Sequence, residues 1–259
     1  MPDESIKVSI VIPVHNEGEY IGACLESLMR QIDPADEIIV VNNNSTDNTV
    51  KIAKTYPVKI LHEKTQGLTP TRNRGFNNAK YEIIARTDGD TILPSNWITM
   101  IKKSFSDENL VAVSGPAEFY DLPELFQNSH WQSKPTWVKL IKSYNKLVKK
   151  MTKHDCIYGP NYAIRKKAWK KVKNSVCLND KQVHEDLDLA IHLSPFGKIK
   201  FDNSMIVKTS VRRWKKPDTY LEYLYRGLKS INKHKGIRTK EKSKMFVRKI
   251  VSKASLLIN

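Results

Sequence analysis

Short β-branched apolar runs alternate with stretches of helical spacing through the first hundred residues. "KVSIVIPV" is apolar at almost every position and ends at Pro13 and Val14, as expected of a strand buried on both faces. In "EGEYIGACLESLMRQI", Ile21, Leu25, Leu28 and Ile32 recur at helical spacing. "DEIIVVNNNSTDNT" predicts a second buried strand running into a polar loop. "STDNTVKIAKTY" then predicts a helix capped by Ser45 or Thr46. "VKILHE", "TPTRNRGFNNA" and "YEIIARTDGD" follow as strand, helix and strand. Units of this kind predict a Rossmann-like α/β fold, a mostly parallel sheet with helices on both faces. Ligands of such sheets bind outside the carboxyl ends of the strands. The polar loops Pro13 to Glu17, Asn42 to Asp47 and Asp88 to Asp90 are therefore expected to meet at one crevice.

The second half carries fewer repeats of this pattern. "VAVSGPAEFYD" predicts one more strand, and "PTWVKLIKSYNKLVKKM" an amphipathic helix with Trp137, Ile141, Tyr144, Val148 and Met151 on its apolar face. "DCIYGPNYAIRKKAWKKV" predicts strand, turn and helix, and "HEDLDLAIHLSPFG" a helix closed by Pro195 and Gly197. The tail "KMFVRKIVSKASLLIN" again has helical spacing, with Phe246, Ile250, Ala254 and Leu257 on one stripe and lysines and arginines opposite.

Charge changes this picture more than size does. The 259 residues are 40% hydrophobic, enough for a globular core. No run approaches the eighteen apolar residues of a membrane span, and the acidic opening "MPDESIK" is unlike a secretory signal, so the expectation is a cytoplasmic chain. The three cysteines, Cys24, Cys156 and Cys177, form no paired spacing. Lys and Arg outnumber Asp and Glu by 44 to 27, a net charge of +17, and after Glu222 the only acid is Glu241. Such an excess points to a polyanionic partner: a phosphorylated substrate, nucleic acid or the anionic inner face of a membrane. A basic, apolar-striped C-terminal extension over residues 216–259 suits the last of these, where each cation adds about 1 kcal/mol, and equally suits a helix pair packed on the rest of the fold with Phe246 and Leu257 in a core.

The candidate chemistry starts at "RTDGD". Asp88 and Asp90 stand one residue apart at a strand end, a placement that costs repulsion unless a cation or a hydrogen-bond network compensates it. Two hard oxygen donors suit Mg²⁺ or Mn²⁺ with positions left for phosphate, and Gly89 allows close approach. By itself the tripeptide is also an ordinary turn.

Four stretches in fixed order make it more specific: "VSIVIPVHNE", "EIIVVNNNSTDNT", "TRNRGFNNAKYEIIARTDGDTILPSNWI", and "GPNYAIRKKAWKKV" followed by "HEDLDLAIHL". Together, over roughly residues 6–215, they resemble the family 2 glycosyltransferases, inverting nucleotide-sugar-dependent enzymes of the GT-A fold. The resemblance implies a donor half over residues 1–110 and an acceptor half over 111–215. It implies that Asp90, with Asp88 beside it, binds the metal, and that Pro13, His15, Asn16, Glu17, Asn43, Arg72, Asn73 and Gly89 lie along a UDP- or GDP-sugar. Asn42 to Asn44 stand where the family often has acids, and an asparagine carbonyl can still accept from a base N–H. The resemblance makes Asp186 the catalytic base. Gly159, Asn161, Glu185, Arg212 and Arg213 are placed on the acceptor and diphosphate side, with a saccharide or lipid-linked acceptor.

Three alternatives stand beside this reading. A nucleotidyltransferase would share metal and nucleotide, but "PVHNEGEY" lacks a Gly-rich basic loop. A non-catalytic polyanion-binding module has only the charge behind it, and no specific nucleic-acid signature is present. A zinc site among His184, Asp188 and His192 lacks the H-E-x-x-H pattern and is not expected.

Overall fold

The computed structural model describes residues 6–121, 135–178, 183–212, 225–227, 229–231 and 233–234, with 135–141 as backbone only. A seven-stranded sheet in the order β3-β2-β1-β4-β8-β6-β9 forms its centre. The strands are β1 (Val8–Val14), β2 (Glu37–Asn42), β3 (Lys59–His62), β4 (Ile83–Arg86), β6 (Leu110–Ser114), β8 (Tyr162–Arg165) and β9 (Lys198–Phe201). All pairings are parallel except those of β8, which lies antiparallel between β4 and β6. A second sheet of three short strands, β5 (Thr91–Ile92), β10 (Val207–Thr209) and β7 (Ala117–Phe119), lies across the end of β4 where the polar loops gather.

The helices are α1 (Ile21–Met29), α2 (Thr49–Ala53), α3 (Leu68–Asn78), α4 (Trp97–Phe105), α5 (Pro135–Thr152), α6 (Lys166–Val172) and α7 (Glu185–Leu193). They cover both faces, and the alternation along β1 shows how. Val8, Ile10, Ile12 and Val14 point into one core with Ile21, Leu25, Trp97, Ile101 and Phe105 of α1 and α4. Val11 points into the other, with Phe76, Trp169, Leu189 and Leu193 of α3, α6 and α7. A strand buried on both faces is apolar at nearly every position, as "VSIVIPV" is, and its one polar residue, Ser9, donates its hydroxyl to Glu37 at 2.6 Å. The two large indoles are satisfied as well as buried: Trp97 Nε1 donates to Asn161 at 2.9 Å and Trp169 Nε1 to Asn77 at 3.0 Å.

Several expectations need correction in detail. Ile32 is 74% exposed, because α1 ends at Met29 and the chain has turned away before reaching it. Ser45 and Thr46 do not cap α2, which starts at Thr49; their polar atoms face Asn16 instead. "VAVSGPAEFYD" is two strands in different sheets, broken at Gly115 and Pro116. Strands β9 and β10 were not expected. Among the described residues no helix is long and apolar enough to cross a membrane. The apolar stripe from Phe246 to Leu257, and Trp137 and Ile141 as side chains, lie outside the described residues. Residues 225–234 do fall within them in part, and this helical stretch packs Ile231 against Val148, Cys156 and Leu187.

Candidate active site

The loops after β1 and β2 and the start of α3 enclose a cleft of about 220 Å³. It is lined by Pro13, Val14, His15, Glu17, Asn43, Gln66, Gly67, Leu68 and Thr71. The asparagines build its wall. Asn43 Nδ2 donates to the carbonyls of Glu63 and Thr65, and its Oδ1 accepts from Gly67 N, at 2.8–2.9 Å. Asn42 Oδ1 accepts from Ser45 N, and Asn44 Nδ2 donates to Lys64 O. Asn43 lines the cleft, and its carboxamide braces the loop 63–67 through three of its four hydrogen-bonding positions, leaving one Oδ1 lone pair. Asn44 and Asn16 hold positive φ angles of 57° and 54°, which asparagine tolerates better than most residues. Asn16 ties the β1 loop to Thr46 through Oδ1. Exposed His15 donates from Nδ1 to Asn43 O at 2.6 Å, which leaves Nε2 as an acceptor.

The D-x-D turn follows directly from β4. Asp88 and Asp90 are 8% and 3% exposed. A Cβ on Gly89 would stand 3.1 Å from Val14 and Glu17, so the close approach that glycine permits is by the end of β1. Arg213 lies outside the described residues; Arg212 reaches in from beyond β10. Its Nε donates to Asp90 Oδ2 at 3.1 Å, its Nη2 pairs with Glu17, and its guanidinium lies 4.4 Å from the centre of the Tyr20 ring. Burial opposes its charge, but Glu17 and Asp90 raise its pKa. Thr209 Oγ1 and Tyr120 Oη add bonds to Asp90 at 3.3 and 3.2 Å. Two nearly buried carboxylates, Asp90 against Arg212 and Asp88 against Arg86, are an all-oxygen donor set of the kind that fits a hard divalent ion. Arg212 occupies the Asp90 oxygen that such an ion would compete for.

Behind the turn is a buried charge cluster centred on Arg86. Its Nη2 donates to Asp88 at 2.8 Å and its Nη1 to Asp186 at 2.9 Å and to Glu185. Arg72, fully buried, pairs with the other oxygen of Glu185 and with Asn73. Arg72 and Asn73 were expected along the nucleotide; the structure places Arg72 beneath the acidic pair. Glu185, expected as a sugar contact, has both oxygens on arginines. Three carboxylates thus face two guanidiniums, and the odd one is Asp186. Burial would raise Glu185, but Arg86 and Arg72 overcome this and hold it well below the usual carboxylate range. Burial and then the Glu185 charge push Asp186 well above that range. The first turn of α7 presents both acids, and Gly159 closes over them: a Cβ there would be 2.8 Å from Asp186 Oδ2. Asn161 is corrected too, since it is fully buried and bonds Trp97, Pro116 and Met205.

The residues the sequence reading missed are Arg86, Tyr120, Thr209 and the cleft wall Gln66, Gly67, Leu68 and Thr71. Only Arg86 left a signal, as a charge inside the apolar run "IIARTDGD".

A mostly parallel sheet with carboxylates and arginines gathered at its strand ends is the GT-A architecture. The mannosyltransferase PcManGT from Pyrobaculum calidifontis, solved with GDP-Man and Mn²⁺, superposes with a TM-score of 0.68 over 92% of this chain and 67% of its own, at 19% identity. Glucosyl-3-phosphoglycerate synthase from Mycobacterium tuberculosis, solved with Mn²⁺, UDP and phosphoglyceric acid, gives 0.62 over 91% and 80%, at 14% identity. The chain belongs to glycosyl transferase family 2, whose model matches residues 9–173. It is similar to the uncharacterized glycosyltransferase YibD of Escherichia coli K12, 36% identical over 118 residues, which are 43% of this chain. This chain spans about a third, 34%, of that relative's length.

Proposed function

We propose that the protein transfers a sugar from a nucleoside diphosphate sugar to a hydroxyl acceptor with inversion, and that Asp186 is the catalytic base. The observation that carries this is the Arg86 fork, which joins the donor-side Asp88 to the acceptor-side Asp186 through one guanidinium. Donor and acceptor chemistry are thereby held side by side. Inversion needs a single base on the face opposite the leaving group: Asp186 takes the acceptor O–H proton, the freed oxygen bonds to the anomeric carbon, and the nucleoside diphosphate leaves with the electron pair. Asp186 takes that proton in its ionised form, and a pKa raised toward the working pH gives the ionised carboxylate a higher proton affinity. Glu185, held by two arginines, serves as the fixed anion that sets Asp186 apart.

On the donor side, the cleft is smaller than the roughly 300–1,000 Å³ that takes a whole drug-sized ligand. It suits the nucleoside end, with the diphosphate over Asp88 and Asp90. A Mn²⁺ or Mg²⁺ ion held by these two acids would supply positive charge for the departing diphosphate. Arg212, displaced from Asp90, would be left to face the diphosphate. Residues 1–110 form the donor half and 111–215 the acceptor half. The Lys- and Arg-rich sequence beyond residue 234 supports a saccharide or lipid-linked acceptor presented at an anionic membrane surface.

Thermal unfolding with UDP- and GDP-sugars, with and without Mn²⁺, tests this reading. A ligand at a hundred times its Kd adds about 2.7 kcal/mol. One nucleotide series should stabilise the wild type with Mn²⁺ and lose that effect in Asp90→Ala. Asp186→Asn should keep the stabilisation and lose transfer. A product with retained anomeric configuration, or transfer that survives Asp186→Asn, would contradict the proposal.

A further inference from the structure

The face of α7 turned away from Asp186 carries a second cluster with its own chemistry. Asp188 and His192 stand one helical turn apart, and His234 reaches them from the helical stretch near residue 230. The three ligand atoms lie within 4.8 Å of one another. The separations are 3.0 Å between the two Nε2 atoms, 3.3 Å from Asp188 Oδ1 to His234 and 3.8 Å from Asp188 Oδ1 to His192. Nitrogen and oxygen ligands at the ~2.0–2.2 Å bond lengths of tetrahedral Zn²⁺ stand about 3.3 Å apart. The observed edges bracket that value.

The surroundings orient each donor. The Ser230 carbonyl can only accept, so the 2.8 Å contact puts a proton on His234 Nδ1 and turns the Nε2 lone pair, in the neutral ring, toward Asp188 and His192. Asp188 is 1% exposed; its Oδ2 accepts from Cys177 N at 2.9 Å, while its buried Oδ1 has no hydrogen-bond donor among the described residues and stands 3.3 and 3.8 Å from the Nε2 atoms of His234 and His192. A backbone carbonyl on the far nitrogen of one histidine and a backbone amide on the far oxygen of the carboxylate are the outer contacts that ligating groups keep. Two histidines and a carboxylate suit a borderline metal, whereas the all-oxygen D-x-D suits a hard one. The rings meet at 88°, with 4.7 Å between centroids, so their nitrogens converge without stacking. The His192 and His234 side chains keep 21% and 16% of their surface exposed, leaving room for water as a further ligand.

We infer that Asp188, His192 and His234 form a transition-metal site, of the Zn²⁺ class, that fastens the C-terminal segment to the helix bearing Glu185 and Asp186. The site joins two elements that are otherwise held by Ser230, which accepts from His184 N at 2.7 Å, and by Ile231 in the small core beside α5. Zn²⁺ there would tie the basic sequence after residue 234 to the acceptor side. Lys233 Nζ, bonded to Cys177 Sγ at 3.0 Å, is the cation that opposes binding and sets its limit. The inference rests on these residues and not on the role of Asp186.

The test uses the full chain, stripped with a chelator and titrated with Zn²⁺ against a competing chelator, then with Co²⁺ to read its ligand-field spectrum. Wild type and Asp90→Ala should each bind one equivalent at this site, with the same affinity. His192→Ala and His234→Ala should each weaken it at least tenfold and remove the Co²⁺ spectrum. Zn²⁺ should slow proteolysis beyond residue 234 in wild type and not in either variant. Either histidine variant suffices if the other misfolds by circular dichroism, since both rings are partly exposed. Equal Zn²⁺ affinity in wild type and the histidine variants, or loss of it in Asp90→Ala, would overturn the assignment and leave a hydrogen-bonded His-His-Asp group.

Discussion

The two sides of the active crevice are built by opposite means. The nucleoside cleft is walled by asparagines: Asn42, Asn43 and Asn44 bond backbone groups at Ser45 and in the loop 63–67 and leave a shallow cleft. Beside it a buried cluster of five charges joins donor-side Arg72, Arg86 and Asp88 to acceptor-side Glu185 and Asp186, with almost no access to solvent. Neutral hydrogen bonds are each worth about 1 kcal/mol and can be lost singly. Buried charges stand or fall together, because removing one leaves its partners uncompensated. The first region sets shape and tolerates change; the second sets proton affinity and does not.

The largest expected break is at Glu185. Glu185→Ala leaves Arg72 and Arg86 buried without their shared partner and should cost about 3–5 kcal/mol in urea unfolding. Acid should act on the same helix start. Burial holds His184 at a pKa of about 4, while an unfolded histidine titrates near 6.5. The unfolded chain therefore binds this proton first, and the stability contributed by neutral His184 is lost as pH falls from about 6.5 to 4. The loss is on the order of 3 kcal/mol, and His184→Gln should remove that component from the pH profile. Gly159→Ala should lower transfer at least tenfold, roughly 1.4 kcal/mol, with a smaller effect on unfolding, because the new methyl meets Asp186 Oδ2. Smallest is Asn44→Gly in the asparagine wall, which keeps the positive φ and loses the bond to Lys64 O, about 1 kcal/mol of stability. A loss at Asn44 as large as that at Glu185 would erase the distinction between the two regions.

Much of the sheet was legible because its strands are apolar runs with polar ends, and β1, β2, β3 and β4 fall where those runs lie. Strands β9, "KIKF", and β10, "VKT", were missed because they are short and carry lysine at alternate positions. The site residues were legible as places and less so as roles. Asp88, Glu185 and Asp186 meet on Arg86, a charge hidden at the end of a strand, while Asp90 is held by Arg212. Arg72 and Asn161 are polar residues consumed by folding, and spacing alone does not separate them from residues that face a ligand. His234 joins Asp188 and His192 from 42 residues away, a contact no local pattern displays.

The central claim is that Asp186 is the odd carboxylate, set apart by burial and by the charge of Glu185, which pairs with both arginines while Asp186 shares only Arg86. Titration of the protein with ¹³C-labelled aspartate side chains reads this without any substrate. One aspartate resonance should titrate well above the ordinary carboxylate range and be absent in Asp186→Asn. An Asp186 that titrates at or below the ordinary aspartate value of about 3.9 would contradict the account.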